Sequence, residues 1–196
     1  MANAGKQIVA IASSTGGPKS LQSVIPRLPE NLDAPVVLVQ HMPSGFTKSM
    51  AERLDSLSAL NVKEAQEGDE VKKGWVYIAQ GGKHLNVVEK QGRNIIHYSD
   101  EPSREGVKPC ANYMYESLIT SKYDEIVCVV LTGMGSDGTE GIINLKSKKK
   151  VHVISQDEQS CVVYGMPKSV KRAGLSDQVV ALDQVAQEII LRVGVN

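Results

Sequence analysis

The chain has 196 residues, 41% hydrophobic and 22% charged, with 22 Lys plus Arg against 22 Asp plus Glu. That is enough apolar material for one packed domain, rather short for two, and it excludes a disordered chain. The balanced charge argues against a general nucleic-acid binder, which needs a broad cationic footprint.

Residues 1–6 read as a loose tail or linker remnant ahead of a single domain over 7–196. Residues 8–12 (IVAIA) form an apolar run that stops at Ser13, Ser14, Thr15, Gly16 and Gly17. The run is too short for a signal segment or a membrane span, so no membrane insertion is expected. A helix over 18–25 starts with Pro18 at a first-turn position, where its missing N–H costs nothing. The run 36–39 ends at Gln40 and His41, and a helix over 47–57 carries Met50, Leu54 and Leu57 at helical spacing. Short strands over 75–79, 84–89 and 94–98, separated by Gly81-Gly82 and Gln91-Gly92, predict an inserted hairpin or meander. A helix over 110–119 precedes the run 126–131, which ends at Thr132, Gly133, Met134, Gly135, Ser136, Asp137 and Gly138. A helix over 138–145 follows, with Lys148, Lys149 and Lys150 as its solvated end, then a run over 151–154. The last helix, 182–193, places Val185, Ile189, Ile190 and Val193 on one face.

The long apolar runs are continuous rather than alternating and rich in Val and Ile, as in central strands of a parallel sheet covered on both faces. Alternating strands and helices predict an α/β fold: a doubly wound, mostly parallel sheet in a Rossmann-like sandwich, with an inserted antiparallel hairpin. Three scattered cysteines, Cys110, Cys128 and Cys161, without a C-x-x-C pair, indicate neither a disulfide framework nor a zinc site. They suit a reducing, cytoplasmic setting, with Cys128 a small core residue. His84, His97 and His152 read as structural or surface residues, and no pair has metal-ligand spacing on one helix face. No metal and no cofactor is expected.

Ligands bind outside the carboxyl ends of strands in open parallel sheets. There the chain places Ser14, His41 and Asp137. A serine hydroxyl becomes a useful nucleophile when an imidazole accepts its proton, and a carboxylate fixes that imidazole's tautomer. Each residue also has a plainer reading. Ser14 and Asp137 suit helix caps, and His41 a surface loop. Gly16-Gly17 also suits a phosphate cradle, although neither common nucleotide fingerprint is present. Whether the three meet depends on strand order, which the sequence does not reveal.

The strings ASSTGGP, VVLVQHMPSGFTKSMAERL, VYIAQGGKHL, VVLTGMGSDGTEGI and SCVVYGMPKSV stand in an order and spacing that resembles the catalytic domain of chemotaxis protein-glutamate methylesterases of the CheB type. The resemblance runs from about residue 8 to the last helix. It implies a bacterial signal-transduction enzyme that hydrolyses glutamate γ-methyl esters on chemoreceptor cytoplasmic helices and releases methanol. Some members also deamidate receptor glutamines. The resemblance assigns Ser14 as nucleophile, His41 as base and Asp137 as its partner. The backbone amides ahead of the helix that opens near Pro18 (Thr15, Gly16 and Gly17) and the turn carrying Met134 and Gly135, whose glycines let the backbone approach closely, suit the oxyanion. The resemblance points to Met166 in a Tyr164–Pro167 turn and the Met42–Phe46 loop as cleft walls. The partners it implies are methylated receptor helices and a receiver domain, absent here, that commonly precedes the catalytic domain. Two departures stand out. Ser13 adds a hydroxyl beside Ser14, which strand alternation points the other way. Lys108-Pro109-Cys110-Ala111-Asn112 stands where Arg-Pro-Ser-Val-Asp is frequent.

Overall fold

The structure is a computed structural model that describes residues 6–196. Of the tail expected over 1–6, only Lys6 lies within the described residues. Its backbone is tied to Asp124, donating to Asp124 Oδ2 at 2.7 Å and accepting the Asp124 amide at 2.7 Å.

Strand β1 (Gln7–Ser13) leads through helix α1 (Gly17–Val24) to β2 (Val36–Gln40), then α2 (Phe46–Leu57), β3 (Asn61–Glu64) and β4 (Trp75–Ile78). A hairpin of β5 (His84–Lys90) and β6 (Arg93–Ser99) follows, then α3 (Ala111–Ser117). The second half runs β7 (Glu125–Val130), α4 (Thr139–Lys146), β8 (Lys150–Gln156), α5 (Met166–Arg172), β9 (Gln178–Val180) and α6 (Leu182–Val193). Seven strands form one parallel sheet in the order β3-β4-β2-β1-β7-β8-β9, and β5 and β6 pair antiparallel apart from it.

The order expands from β1 in both directions, so the chain reverses its march across the sheet between β1 and β7. The crevice outside the carboxyl ends of those strands is the switch point at which such sheets hold ligands.

Two apolar layers flank the sheet, and strand alternation sorts side chains between them. Ile8, Ala10, Ala12, Val37, Val39, Ile126, Cys128 and Val130 face the layer that holds α3, α4, α5 and the hairpin. Val9, Ile11, Val36, Leu38, Val127, Val129 and Leu131 face the layer of α1, α2 and α6.

Three expectations need correction. The 75–79 segment belongs to the main sheet, not to the inserted meander: β4 pairs parallel with β2 and β3, with Val76 and Ile78 on one layer and Tyr77 on the other. The short strands β3 and β9 and the helix α5 escape the pattern. Both strands lie at sheet edges, are only three or four residues long and are partly exposed, so little apolar signal marks them. The lysine run is not a free helix end. Helix α4 stops at Lys146, Lys149 Nζ donates to the carbonyls of Ser121 and Tyr123 at 2.6 and 2.7 Å, and Lys150 opens β8 with Nζ 3.0 Å from Glu125 Oε2.

Tyr115 fixes α3 against the middle of the sheet. Its ring is fully buried and its hydroxyl lies 3.3 Å from the carbonyl oxygens of Ala10 and Val129. Truncation to alanine opens a large cavity under α3. We expect Tyr115→Ala to lose about 3–5 kcal/mol of stability, and Tyr115→Phe, which removes only the hydroxyl, about 1 kcal/mol. Urea unfolding of the two variants beside wild type checks the ranking; equal losses would contradict it.

Candidate active site

The site follows from the alternation just described. The last ladder pair between β1 and β2 is Ser13 with Gln40, and the His41 amide donates to the Ser13 carbonyl at 3.1 Å. Ser13 and Gln40 continue the Val9/Ile11 and Val36/Leu38 parity toward α1. Ser14 and His41, one residue further on each strand, take the opposite parity toward α3. Ser14 also bonds the other neighbour, its amide donating to the Thr132 carbonyl at 2.9 Å just beyond β7. Gly133 then lies so close that a Cβ there would stand 2.7 Å from Ser14 Cβ. The loop after β7 is thereby pressed against Ser14 and delivers Asp137 below it.

Asp137 is buried at the N-terminus of α3. Its Oδ2 accepts the Ala111 amide at 2.7 Å, and its Oδ1 accepts the Asn112 amide at 3.0 Å and the Cys110 thiol at 3.1 Å. His41 Nε2 stands 2.6 Å from Oδ2. Burial works to raise the Asp137 carboxyl, but the His41 hydrogen bond, with the Ala111 amide and the Cys110 thiol, holds it below the usual carboxylate value. Burial and the neighbouring carboxylate push the Cys110 thiol up to about 12, so it stays protonated and donates.

An ionised carboxylate only accepts, so Nε2 carries the hydrogen and, in the neutral ring, Nδ1 is a bare acceptor. That is the imidazole turned end for end relative to the familiar arrangement, in which Nδ1–H faces the aspartate. The His41 side chain is 10% exposed, so it remains reachable from the crevice. Among the described residues, no hydrogen bond joins Ser14 Oγ to the His41 ring. The structure thus brings Ser14, His41 and Asp137 to one rim and pairs the last two directly.

The backbone amides divide sharply. Among the described residues those of Thr15, Gly16, Met134 and Gly135 have no hydrogen-bond acceptor. Gly17 differs from expectation: it is buried, and its amide closes the turn onto the Ser14 carbonyl at 2.8 Å, which removes it as an oxyanion donor. Met166 needs the same correction as a cleft wall. It opens α5 fully buried, its amide donates to the Gly133 carbonyl at 2.8 Å, and its sulfur packs under Gly133. It supports the Gly133–Gly135 turn from beneath.

Phe46 is 59% exposed, and Met134 at 71% and Val162 at 66% are exposed apolar side chains too. Val162 lies over Gly16, where an added Cβ would meet its side chain at 2.6 Å. Sequence reasoning missed two supports. Thr132 Oγ1 accepts the Val162 and Val163 amides at 3.1 and 3.0 Å and lies 3.0 Å from the Thr15 carbonyl, tying that loop to the Ser14 turn. Gln40 is the other, and only its place at a strand's carboxyl end hinted at a role. Ser13 behaves as expected: buried, its hydroxyl turned to Gln40.

The family model described as CheB methylesterase matches residues 9–189. The chain belongs to the CheB methylesterase family. A protein-glutamate methylesterase/protein-glutamine glutaminase of Bacillus subtilis is 48% identical over 187 residues, 94% of this chain and 52% of that protein. One of Bacillus licheniformis is 46% identical, over 95% of this chain and 52% of that protein. The crystal structure of the Thermotoga maritima CheB methylesterase catalytic domain matches with a TM-score of 0.92 at 44% identity, covering 97% of this chain and all of that one. The chain spans about half the length of the curated relatives it matches. The fold expectation of a parallel α/β sandwich with a separate antiparallel hairpin therefore holds in both its own structure and its family.

Because folding lowers the Asp137 pKa, the carboxylate's stabilising contribution is complete above the ordinary carboxylate value and is lost as pH falls through the lower folded value. Asp137→Asn keeps the shape and removes the charge. The stability gap between wild type and this variant is expected to be constant near neutrality and to shrink below about pH 4. Urea midpoints from pH 7 to pH 3 read this; a gap that widens toward acid would contradict it.

Proposed function

We propose that residues 7–196 are the catalytic domain of a protein-glutamate methylesterase, and that Ser14, His41 and Asp137 are its nucleophile, general base and orienting carboxylate. The observation that carries the reading is the buried His41–Asp137 pair, 2.6 Å apart, on the same face and at the same strand ends as Ser14.

In this reading Ser14 Oγ attacks the carbonyl carbon of a glutamate γ-methyl ester while its proton passes to His41 Nδ1. The Asp137 carboxylate stabilises the imidazolium through Nε2–H. The uncommitted amides of Thr15 and Met134, on loops that meet at Ser14, receive the oxyanion, with those of Gly16 and Gly135 beside them. Collapse of the tetrahedral intermediate breaks the bond to methoxide, which leaves as methanol with the proton from His41. Water then attacks the glutamyl ester of Ser14, gives its proton to His41, and the second collapse returns the serine and a free glutamate carboxylate. Glutamine side chains follow the same path with ammonia as leaving group, as the relatives' double name suggests.

The substrate class is a methylated glutamate on a chemoreceptor cytoplasmic helix. The open rim of Phe46, Met134 and Val162 suits a long helix better than an enclosed pocket would. The working compartment is the cytoplasm, in keeping with three free cysteines; among the described residues no helix is long and apolar enough to cross a membrane. A receiver domain elsewhere in the whole protein is the regulatory partner, in line with relatives about twice this length.

Ser14→Ala is expected to lower methanol release from a methylated receptor fragment by about a thousandfold or more, with unchanged folding. Retention of wild-type release by that variant would overturn the assignment of the nucleophile.

A further inference from the structure

Gln40 is buried at the end of β2 and uses its whole side-chain amide. Oε1 accepts the Ser13 hydroxyl at 2.5 Å, while Nε2 donates to the Ser14 carbonyl at 2.8 Å and to the His41 carbonyl at 3.3 Å. The two acceptors belong to the very residues read as nucleophile and base. The Ser14 and His41 carbonyls, which only accept, fix which way the amide points, and the Ser13 hydroxyl then holds Oε1 by donating to it. Gly17 completes the fit: its amide bonds the Ser14 carbonyl, and a Cβ at Gly17 would overlap Gln40 Oε1 and come within 2.9 Å of Ser13 Oγ.

We infer that Gln40 is a positioning residue, an amide clasp that sets the separation and relative orientation of Ser14 and His41, with Ser13 as its lock and Gly17 as the space it requires. This rests on the catalytic reading of Ser14 and His41 given above. The physical need is local. Both residues stand one step beyond the last ladder pair of β1 and β2; the His41 amide still bonds the Ser13 carbonyl there, but among the described residues no backbone hydrogen bond joins Ser14 to His41. The Gln40 side chain supplies the missing rung from the α1 face, while the catalytic side chains work on the α3 face. None of its atoms faces the crevice, so it acts through geometry. Displacing reacting groups by about 1 Å costs a rate factor on the order of a hundred.

The test measures kcat and KM for methanol release from a methylated receptor fragment, with thermal unfolding alongside, for Gln40→Ala, Gly17→Ala, their double variant and Ser13→Ala. Gln40→Ala is expected to lower kcat by roughly tenfold to a hundredfold with KM within about twofold of wild type. Gly17→Ala should match it by pushing the amide aside. The double variant should lose no more than the worse single, because the added methyl then fills space the amide has left. Folded Gln40→Ala with wild-type kcat, or two singles whose losses multiply in the double, would overturn the clasp. If Gln40→Ala does not fold, Ser13→Ala decides. It keeps the amide and removes only its lock, so a kcat loss of about two- to fivefold is expected, and an unchanged kcat overturns the inference. Ser14→Ala measured in the same series separates the two readings: activity in that variant defeats the nucleophile assignment, whereas activity in Gln40→Ala alone defeats only the clasp.

Discussion

One buried carboxylate organises the rest of the site. Leaving Asp137 ionised and unpartnered in the protein interior would cost several kcal/mol. Four donors offset that: two amides at the start of α3, the Cys110 thiol and His41 Nε2–H. Hydrogen bonds to charged groups are worth about 1.5–3 kcal/mol each, so this set outweighs the desolvation and keeps the negative charge in place. The same carboxylate dictates the tautomer of His41, and with it which ring nitrogen is left to accept a proton. The N-terminus of α3 therefore belongs to the proposed catalytic machinery through its backbone amides.

Asn112 extends the same logic outward. Its side-chain oxygen accepts the Gly138 and Gly141 amides at 2.9 and 2.7 Å, while its side-chain nitrogen donates to Glu105 Oε2 at 2.6 Å. It thus holds the start of α4 against the start of α3, with Asp137 between them. An asparagine suits this spot because Glu105 already brings a carboxylate, which accepts the Asn112 amide and the Ser136 hydroxyl. The departure Lys108-Pro109-Cys110-Ala111-Asn112 noted in the sequence consequently bears on how Asp137 is held: Cys110 donates to it directly, and Asn112 binds the turn that carries it.

Much of this was legible in the sequence, and for identifiable reasons. The central strands announced themselves because β1, β2 and β7 are covered on both faces and so are apolar throughout. Ser14, His41 and Asp137 stood out as polar residues at the carboxyl ends of those strands. Their meeting was not legible, because it depends on β1 lying between β2 and β7, a pairing of segments more than a hundred residues apart in the chain. Trp75–Ile78 misled because a four-residue strand next to a hairpin carries no sign of which sheet it joins. Gly17 and Met166 misled for another reason. A motif marks a turn as functional without distinguishing amides that face a ligand from amides the turn has already used, as at Gly17, or side chains that line a cleft from side chains buried beneath it, as at Met166. Gln40 was hidden by its chemistry, since a glutamine at a strand end is equally at home in solvent.

Catalysis at this site requires Ser14 and His41 to converge, with Asp137 fixing the ring's orientation. A crystal structure of the protein after reaction with a fluorophosphonate tests it most directly. We expect phosphorus bonded to Ser14 Oγ, His41 Nδ1 facing that oxygen with Nε2 still on Asp137, and a phosphoryl oxygen on the Thr15 and Met134 amides. Phosphorus on another residue, or a His41 ring that leaves Asp137 or presents Nε2 to the adduct, would contradict it.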